Sequence, residues 1–306
     1  MTTTDTAADL DRLATPPTFQ SVSGSRKFKN AVATTLVYAA FLIAIVPLVW
    51  VLYVVIQRGF PVILDADWWQ KSLSGLLSRQ QGGGVYHAIY GTLVQGLVCG
   101  IISVPIGLFV AVYLVEYGGR SKLAKATTFM VDILTGVPSI VAALFVYTLW
   151  ITYFGFGRSG FAVSLALVLL MVPVIVRTTE EMLKIVPDEL REASYALGIP
   201  KWKTIVKVVV PTALSGIVTG IMLALARVMG ETAPVLVLAA YAPYINYNLF
   251  DGPMASLPLL MTSERNNPTQ AGFERIWGAA ITLVLIITLF NLLATVISRW
   301  LAPKTK

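Results

Sequence analysis

The sequence predicts an all-α integral membrane protein with six transmembrane helices and both termini in the cytoplasm. Composition carries the first part of this reading. Of 306 residues, 56% are hydrophobic and only 13% charged, with a mean hydropathy of +0.75, whereas a soluble domain carries roughly 25% charged residues. Patterning carries the second part. Six apolar stretches, at about 31–56, 87–115, 126–153, 161–178, 212–242 and 274–301, each approach or exceed the ~20 residues that a bilayer requires. Charge placement sets the orientation. Sixteen Lys and Arg fall in the tail before the first span, the second and fourth connections and the C-terminus, against six in the alternate connections, and the richer side is expected to be cytoplasmic. The net charge of +7 follows from this bias and does not signal nucleic-acid binding.

Residues 1–30, rich in Thr, Ala and Ser with Pro16-Pro17, read as a mobile cytoplasmic tail. They lack the small-residue cleavage site of a secretory signal. Residues 31–303 form the transmembrane domain. The first external loop, 57–86, carries Trp68-Trp69, expected at the membrane interface. Its Gly82-Gly83-Gly84 is followed by no Lys-Ser or Lys-Thr. No Walker sequence occurs anywhere, so ATP hydrolysis by that chemistry is not expected. His87, the only histidine, reads as an interface residue. Cys99, the only cysteine, excludes an intrachain disulfide and a cysteine-based metal site and reads as a small apolar side chain.

Inside the third span stands Gly136-Val137-Pro138-Ser139. Proline there removes a donor and breaks or kinks the helix. The outcome is either a packing kink or a break that aims N–H groups and the Ser139 hydroxyl at an anion. Arg177, at the cytoplasmic end of the fourth span beside Pro173, is either a plain anchor or an inner station on an anion path. The polar, basic segment at about 180–211 follows. Glu189, Arg191 and Glu192 lie on a short helical stretch with polar and apolar faces. Gly198 is placed to end that helix in a left-handed conformation, Pro200 prevents its continuation, and a second helix runs from about Lys201 past Pro211.

The fifth span contains Arg227-Val228-Met229-Gly230-Glu231-Thr232-Ala233-Pro234. Arg227 falls roughly 24 Å along the helix from Pro211, deep in the bilayer. Four residues on, Glu231 is expected on the same helix face. A charge at the bilayer centre costs about 3 kcal/mol or more, so such groups face protein or water and pair. The pair either fixes helix packing or forms part of an anion pathway, the guanidinium fork matching an oxyanion and Glu231 relieving Arg227 when the path is empty. The second external segment, 243–273, carries Pro243, Pro253, Pro258 and Pro268. Neither a soluble domain nor an internal repeat of 20–50 residues is visible.

Four motifs together resemble one family. Glu192-Ala193-Ser194, Gly198 and Val208-Val209-Val210-Pro211 resemble the EAA loop of ABC importer permeases. Gly230-Glu231-Thr232-Ala233-Pro234 resembles the GETAP signature of permeases of Pst-type phosphate importers. Thr135-Gly136-Val137-Pro138-Ser139-Ile140-Val141 and Ile276-Trp277-Gly278-Ala279-Ala280 resemble that family's G-V-P-S-I-V and W-G-A-A stretches. The likeness covers roughly residues 86–300. Ser194 replaces an alanine of the EAA motif, and Val208 and Val210 replace its Ile and Leu, all small or apolar exchanges. The absence of a large added external domain fits the PstA-type branch. The resemblance implies a type I ABC importer permease fold in a bacterial or archaeal cytoplasmic membrane, translocating inorganic phosphate by alternating access. Glu192, Ala193, Ser194, Gly198 and Pro211 would serve the ATPase-coupling loop. Arg227, Glu231, Ser139 and Arg177 would line the substrate path, and Gly136, Pro138, Gly230, Thr232 and Pro234 would break helices near it. The implied partners are a PstC-type permease, two copies of a PstB-type ATPase, a PstS-type phosphate-binding protein and the lipid membrane. The chain itself would hold no metal or cofactor and catalyse no reaction, since ATP and Mg belong to the ATPase. Alternative readings are a permease for sulfate, molybdate or a small polar solute such as an amino acid, or a membrane signalling or assembly subunit that does not transport.

Overall fold

The structure, a computed structural model, describes residues 23–301. Of the predicted mobile tail, 1–30, the residues before Ser23 lie outside the described residues, and those from Gly24 on are helical. Twelve α-helices and no strands occur among the described residues. Among the described residues, those up to Val54 fall in one unit and those from Val55 in a second.

Helix α1, Gly24–Ile63, has 40 residues, roughly 60 Å at 1.5 Å per residue, so it outruns the predicted span 31–56 at both ends. Within the first unit its apolar side chains, among them Phe41, Ile43 and Trp50, are exposed, as suits a helix surrounded by lipid or by another chain. In the second unit its last turns carry Gly59, whose missing side chain lets Ile281 approach. The short α2, Ala66–Gln70, is capped by the Asp65 carboxylate accepting from Asp67 N–H. Trp68 of α2 is buried at 4% exposure, its Nε1 donating to Thr282 Oγ1 at 3.0 Å. The expected interfacial Trp pair is therefore split: Trp68 is core, and the part-exposed Trp69 donates to the Ile63 carbonyl at 2.8 Å.

Helix α3 (Tyr86–Val112), ending in a π turn at Tyr113–Tyr117, packs along α6 (Gly160–Ile185). In α6, 61% of the most apolar window is buried, against 28% in α3, which makes α6 the central helix. Small residues permit the close approach, Gly107 of α3 facing Ile175 of α6. Several polar groups on these helices are bonded internally, as an apolar medium favours, while Gln95 Nε2 of α3 and Thr179 Oγ1 of α6 are buried without a partner. Thr92 Oγ1 donates to Ala88 O at 2.9 Å and accepts from Leu257 N–H at 2.9 Å, and Ser164 Oγ donates to Gln95 O at 3.2 Å. Cys99 is buried against Met171, in keeping with an apolar role. His87 is buried at 2% exposure, with Nε2 3.4 Å from the Tyr241 hydroxyl, and is not the interface residue expected.

The predicted third span is two helices. They are α4 (Lys122–Gly136) and α5 (Ser139–Val146, continuing as a π turn to Tyr153), bent by 105° at Val137-Pro138. Pro138, at φ −59° and ψ 138°, lies outside helical geometry. Counting this pair as one broken span, the described residues hold six candidate spans, and five without it. After α6 come α7 (Asp188–Ala196), α8 (Lys201–Thr204), a π turn at Ile205–Val209 and α9 (Val210–Met229), the last three forming one continuous rod. The π turn stands where Pro211 withholds its N–H from the helical ladder.

The rod ends at Met229, with Gly230 as its C-cap. The predicted span 212–242 is thus corrected. Gly230-Glu231-Thr232 is a link, and the separate six-residue α10, Ala233–Leu238, follows with Pro234 in its first turn, where proline is tolerated. The second external segment also holds an unpredicted helix, α11 (Leu257–Glu264), opened by Ser256 Oγ accepting from Leu259 N–H and by Pro258 in its first turn. Helix α12, Gln270–Leu301, packs on α9 and α11.

Candidate functional site

Two breaks in the helical framework meet at one cleft. A cavity of about 610 Å³ is lined by Ser139, Ala226, Arg227, Gly230, Glu231, Thr232, Ala233 and Ile287. Ser139 is the first residue of α5, just past the proline break. Arg227 occupies the last turn of α9, and Glu231 and Thr232 lie in the link to α10. The local chemistry explains the placement. Pro138 forces a new helix to start at Ser139, leaving N–H groups there without intrahelical acceptors. The glycine at 230 ends α9 one turn after Arg227 and turns the chain into the cleft.

Arg227 is exposed and Glu231 half-buried. Because α9 stops at Met229, Glu231 is not on the helix face of Arg227, which corrects the expected shared face. Nor do the two form an ion pair, although seven other pairs join described residues. The guanidinium and the carboxylate line the same space without neutralising each other directly. The cleft thus offers a fixed cation, two hydroxyls and the positive end of α5, opposed by one carboxylate. Those are the elements of a site that holds a small oxyanion and lets it go.

Arg177 is elsewhere. Its Nη1 donates to Glu180 Oε2 at 2.7 Å, its Nη2 pairs with Asp132 of α4, and Lys184 also reaches Glu180, at 2.7 Å. Both arms of this arginine are occupied by carboxylates, and it does not line the cleft. Asp132 is the partner that the sequence reading missed. A second cavity, about 670 Å³, lies near the end of α1 and the start of α12, lined among others by Arg58, Asp65, Trp68, Glu274, Arg275 and Trp277. It is the larger of the two, but its charges balance. Arg275 is paired with Glu264 at 3.3 Å and donates to the Ser78 and Gln80 carbonyls, and Arg58 lies over the Trp277 ring. The smaller cleft differs in that its arginine, Arg227, forms no ion pair among the described residues.

The segment at about 180–211 ends its first helix as its sequence suggests and is anchored by further contacts. Gly198 has φ +72°, a left-handed conformation that glycine adopts without strain. Its N–H reaches Tyr195 O at 2.9 Å and the Ile199 N–H reaches Ser194 O at 3.2 Å, the paired bonds of a Schellman ending. Ser194 is buried, its hydroxyl 2.8 Å from that of Thr204, which ties α7 to α8. Glu192 and Ala193 are exposed, and so are Tyr195, Leu197 and Trp202. Arg191, by contrast, is turned inward. It donates to Val186 O (2.7 Å), Leu183 O (3.0 Å), Asp188 Oδ1 (3.1 Å) and Glu116 Oε1 (3.0 Å). Pro211 sits in the first turn of α9.

Comparison with known proteins places these features in one family. Residues 103–306 match the family described as binding-protein-dependent transport system inner membrane component. The "Phosphate transport system permease protein PstA 1" of Mycobacterium tuberculosis (strain ATCC 25618 / H37Rv) is 57% identical over 297 residues, covering 97% of this chain and 96% of that protein. Among solved structures, a bacterial alginate ABC transporter in complex with its alginate pentasaccharide-bound periplasmic protein contains a chain that matches with a TM-score of 0.63 at 14% identity, covering 92% of this chain and 99% of that one. The MetNI methionine ABC transporter in inward-facing conformations matches with a TM-score of 0.56 at 21% identity, covering 72% and 94%. At these identities the two structures speak for the fold, and the fold is that of the ABC importer permeases. The chain therefore belongs to the binding-protein-dependent transport system inner membrane components, and within them to the PstA-type permeases.

Proposed function

We propose that this chain is the permease subunit of an ATP-driven importer that carries inorganic phosphate through the cleft at Arg227 by alternating access. The observation that carries the reading is the convergence of Arg227, Ser139, Thr232 and Glu231 on one cavity at two helix breaks. An arginine exposed on a membrane-spanning helix is too costly to face lipid. It therefore faces a second permease chain, PstC-type by relationship, that completes the path.

Each group has a physical task. Arg227 offsets the anion's charge and cannot lose its own. The Ser139 and Thr232 hydroxyls replace water around the phosphate oxygens. Glu231, close but not bonded to Arg227, accepts a hydrogen bond from a protonated phosphate oxygen, and its charge weakens the hold on the anion, favouring release. At the cytoplasmic end, the exposed Glu192, Tyr195, Leu197 and Trp202 around the glycine stop make an amphipathic knob suited to a cleft on a PstB-type ATPase. Such a subunit would bind and hydrolyse ATP with Mg, since this chain carries no Walker sequence. A PstS-type protein would deliver phosphate from outside.

The test is uptake of labelled phosphate into vesicles holding all four protein types, with ATP inside the compartment that faces the ATPases. ATP-dependent phosphate uptake that excess sulfate and molybdate do not inhibit is the expected result. Preferential uptake of sulfate or molybdate would reassign the substrate, and no ATP-dependent uptake of any oxyanion would overturn the transport reading.

A further inference from the structure

The coupling helix α7 is bolted to more than its own chain neighbours. The Arg191 side chain, 13% exposed, places its guanidinium among three elements at once. It closes the C-terminal carbonyls of α6 at Leu183 and Val186, holds Asp188 in the first turn of α7, and donates from both Nε (3.2 Å) and Nη2 (3.0 Å) to Glu116 Oε1 at the end of α3. Glu116 has a side chain only 5% exposed. Beside it, Lys201 at the start of the α8–α9 rod donates to the Glu116 backbone carbonyl and lies 5.1 Å over the Tyr117 ring.

The position of Glu116 is informative. It ends a helix at its negative pole, where a carboxylate is electrostatically unfavourable. It is also buried, which an unpaired carboxylate could not sustain. Neither property helps α3 by itself, and only the contact with Arg191 accounts for a glutamate there. A π turn occupies Tyr113–Tyr117, and a second lies in the rod at Ile205–Val209, directly after Lys201–Thr204. One π turn thus holds Glu116 itself, and the other follows directly on the helix that carries Lys201, the kind of local irregularity common at functional sites.

We infer that the Glu116–Arg191 pair is a mechanical joint through which movement of the coupling helix is delivered to α3 and the central helix α6, alongside the direct route through the rod to Arg227. Glu116 and Arg191 are positioning residues, remote from the anion. The inference rests on the proposed ATP-driven transport, but part of its test does not depend on the substrate.

The experiment uses the full complex with paired labels at Arg120→Cys, beside the end of α3, and Glu189→Cys on α7. Both positions are exposed, while the native Cys99 is buried and takes no label. With Glu116 intact, the label-to-label distance should stay constant when ATP is added, while each label moves relative to a third on α12. In Glu116→Gln the distance should change by several ångströms on ATP addition, and phosphate moved per ATP hydrolysed should fall about tenfold. Glu116→Asp, which keeps the charge, should recover most of that ratio. Failure of phosphate uptake in the unmutated complex would count against the transport reading, while the distance readout would still judge the joint. An unchanged distance and transport ratio in Glu116→Gln would overturn the joint. So would equal loss of complex assembly in Glu116→Gln and Glu116→Asp, which marks a purely structural pair.

Discussion

At the scale of single residues, the proposed chemistry of the cleft turns on Arg227 having no carboxylate partner among the described residues. A buried ion pair loses stability when one member is neutralised, because the other is left uncompensated. Arg227 and Glu231 share a cavity but no bond, so that penalty does not arise here. Arg227→Gln is expected to assemble with yield and melting temperature close to those of the unmutated protein, yet to lose phosphate uptake at least a hundredfold. A neutral amide cannot offset a desolvated anion's charge. Arg227→Lys should retain a few per cent, because an ammonium lacks the planar fork. Glu231→Gln should reduce uptake severely if the carboxylate receives phosphate's proton and only modestly if it merely tunes release. Uptake kinetics and complex yield, measured on each variant, separate these readings. Wild-type uptake by Arg227→Gln would remove this residue from the path. The contrast with Arg177 is instructive. The same residue type, engaged by Asp132 and Glu180, is expected to act as a structural tie between α4 and α6, and Arg177→Gln should lower the melting temperature of the complex more than Arg227→Gln does.

At the scale of elements, glycines decide how helices meet and end, and they do so for different reasons. Gly198 is required by its backbone. A β-branched residue at φ +72° carries about 1–2 kcal/mol of strain. Gly198→Val is therefore expected to unwind the end of α7 and reduce recovery of the ATPase in a pull-down, whereas Gly198→Asn should keep most of it. Gly220 is required by its neighbour. A Cβ there would lie 2.8 Å from Thr178 Oγ1 and 2.9 Å from Thr178 Cβ, so Gly220→Val should force α9 off α6 at a cost of about 1–3 kcal/mol and lower the melting temperature by several degrees. Gly230, despite its place in the signature sequence, has an ordinary φ of −90° and would meet nothing closer than 3.6 Å. Gly230→Ala should melt with the unmutated protein. Thermal melts of the two variants side by side check the distinction, and equal destabilisation would show that the packing at Gly220 is more yielding than its geometry implies.

At the scale of the whole molecule, orientation is the property on which the functional reading depends. The expected orientation is argued from charge placement and not from packing. A cysteine replacing the exposed Ser78 is expected to react with an impermeant maleimide added outside intact cells, and one replacing the exposed Glu189 is not. The reverse pattern would put the coupling segment on the side without ATP. The native Cys99 is buried, so the background should be low. Labelling at Ser78 also tests the first external loop, whose Ser78 carbonyl accepts from the Arg275 guanidinium and from Asn267.

Much of this architecture is written locally in the chain. Apolar run length located the spans, though not the ends of the first or the break in the fifth; Pro138 marked an interruption of the third span without deciding between a kink and a break; and Gly198-Ile199-Pro200 announced the end of α7 and the start of a second helix. Run length reflects side-chain partitioning along one segment, and the glycine and proline signals reflect backbone chemistry between near neighbours, so both were legible. The Ser256-Leu257-Pro258 start of α11 was equally legible by its capping pattern, though proline-rich surroundings masked it. Tertiary packing alone decided which distant groups share a space. Arg177 took Asp132, 45 residues away, as its partner, and Arg191 took Glu116, 75 residues away. Trp68 turned into the core instead of the interface, and Ser139 met Arg227 across two helix breaks. Pairings of this kind depend on how each helix is rotated about its own axis, and that rotation is set by side chains interlocking across helices, such as Gly107 against Ile175 and Gly220 against Thr178. A linear pattern specifies which residues a helix contains, but the direction in which each side chain finally points is fixed only when the helices pack.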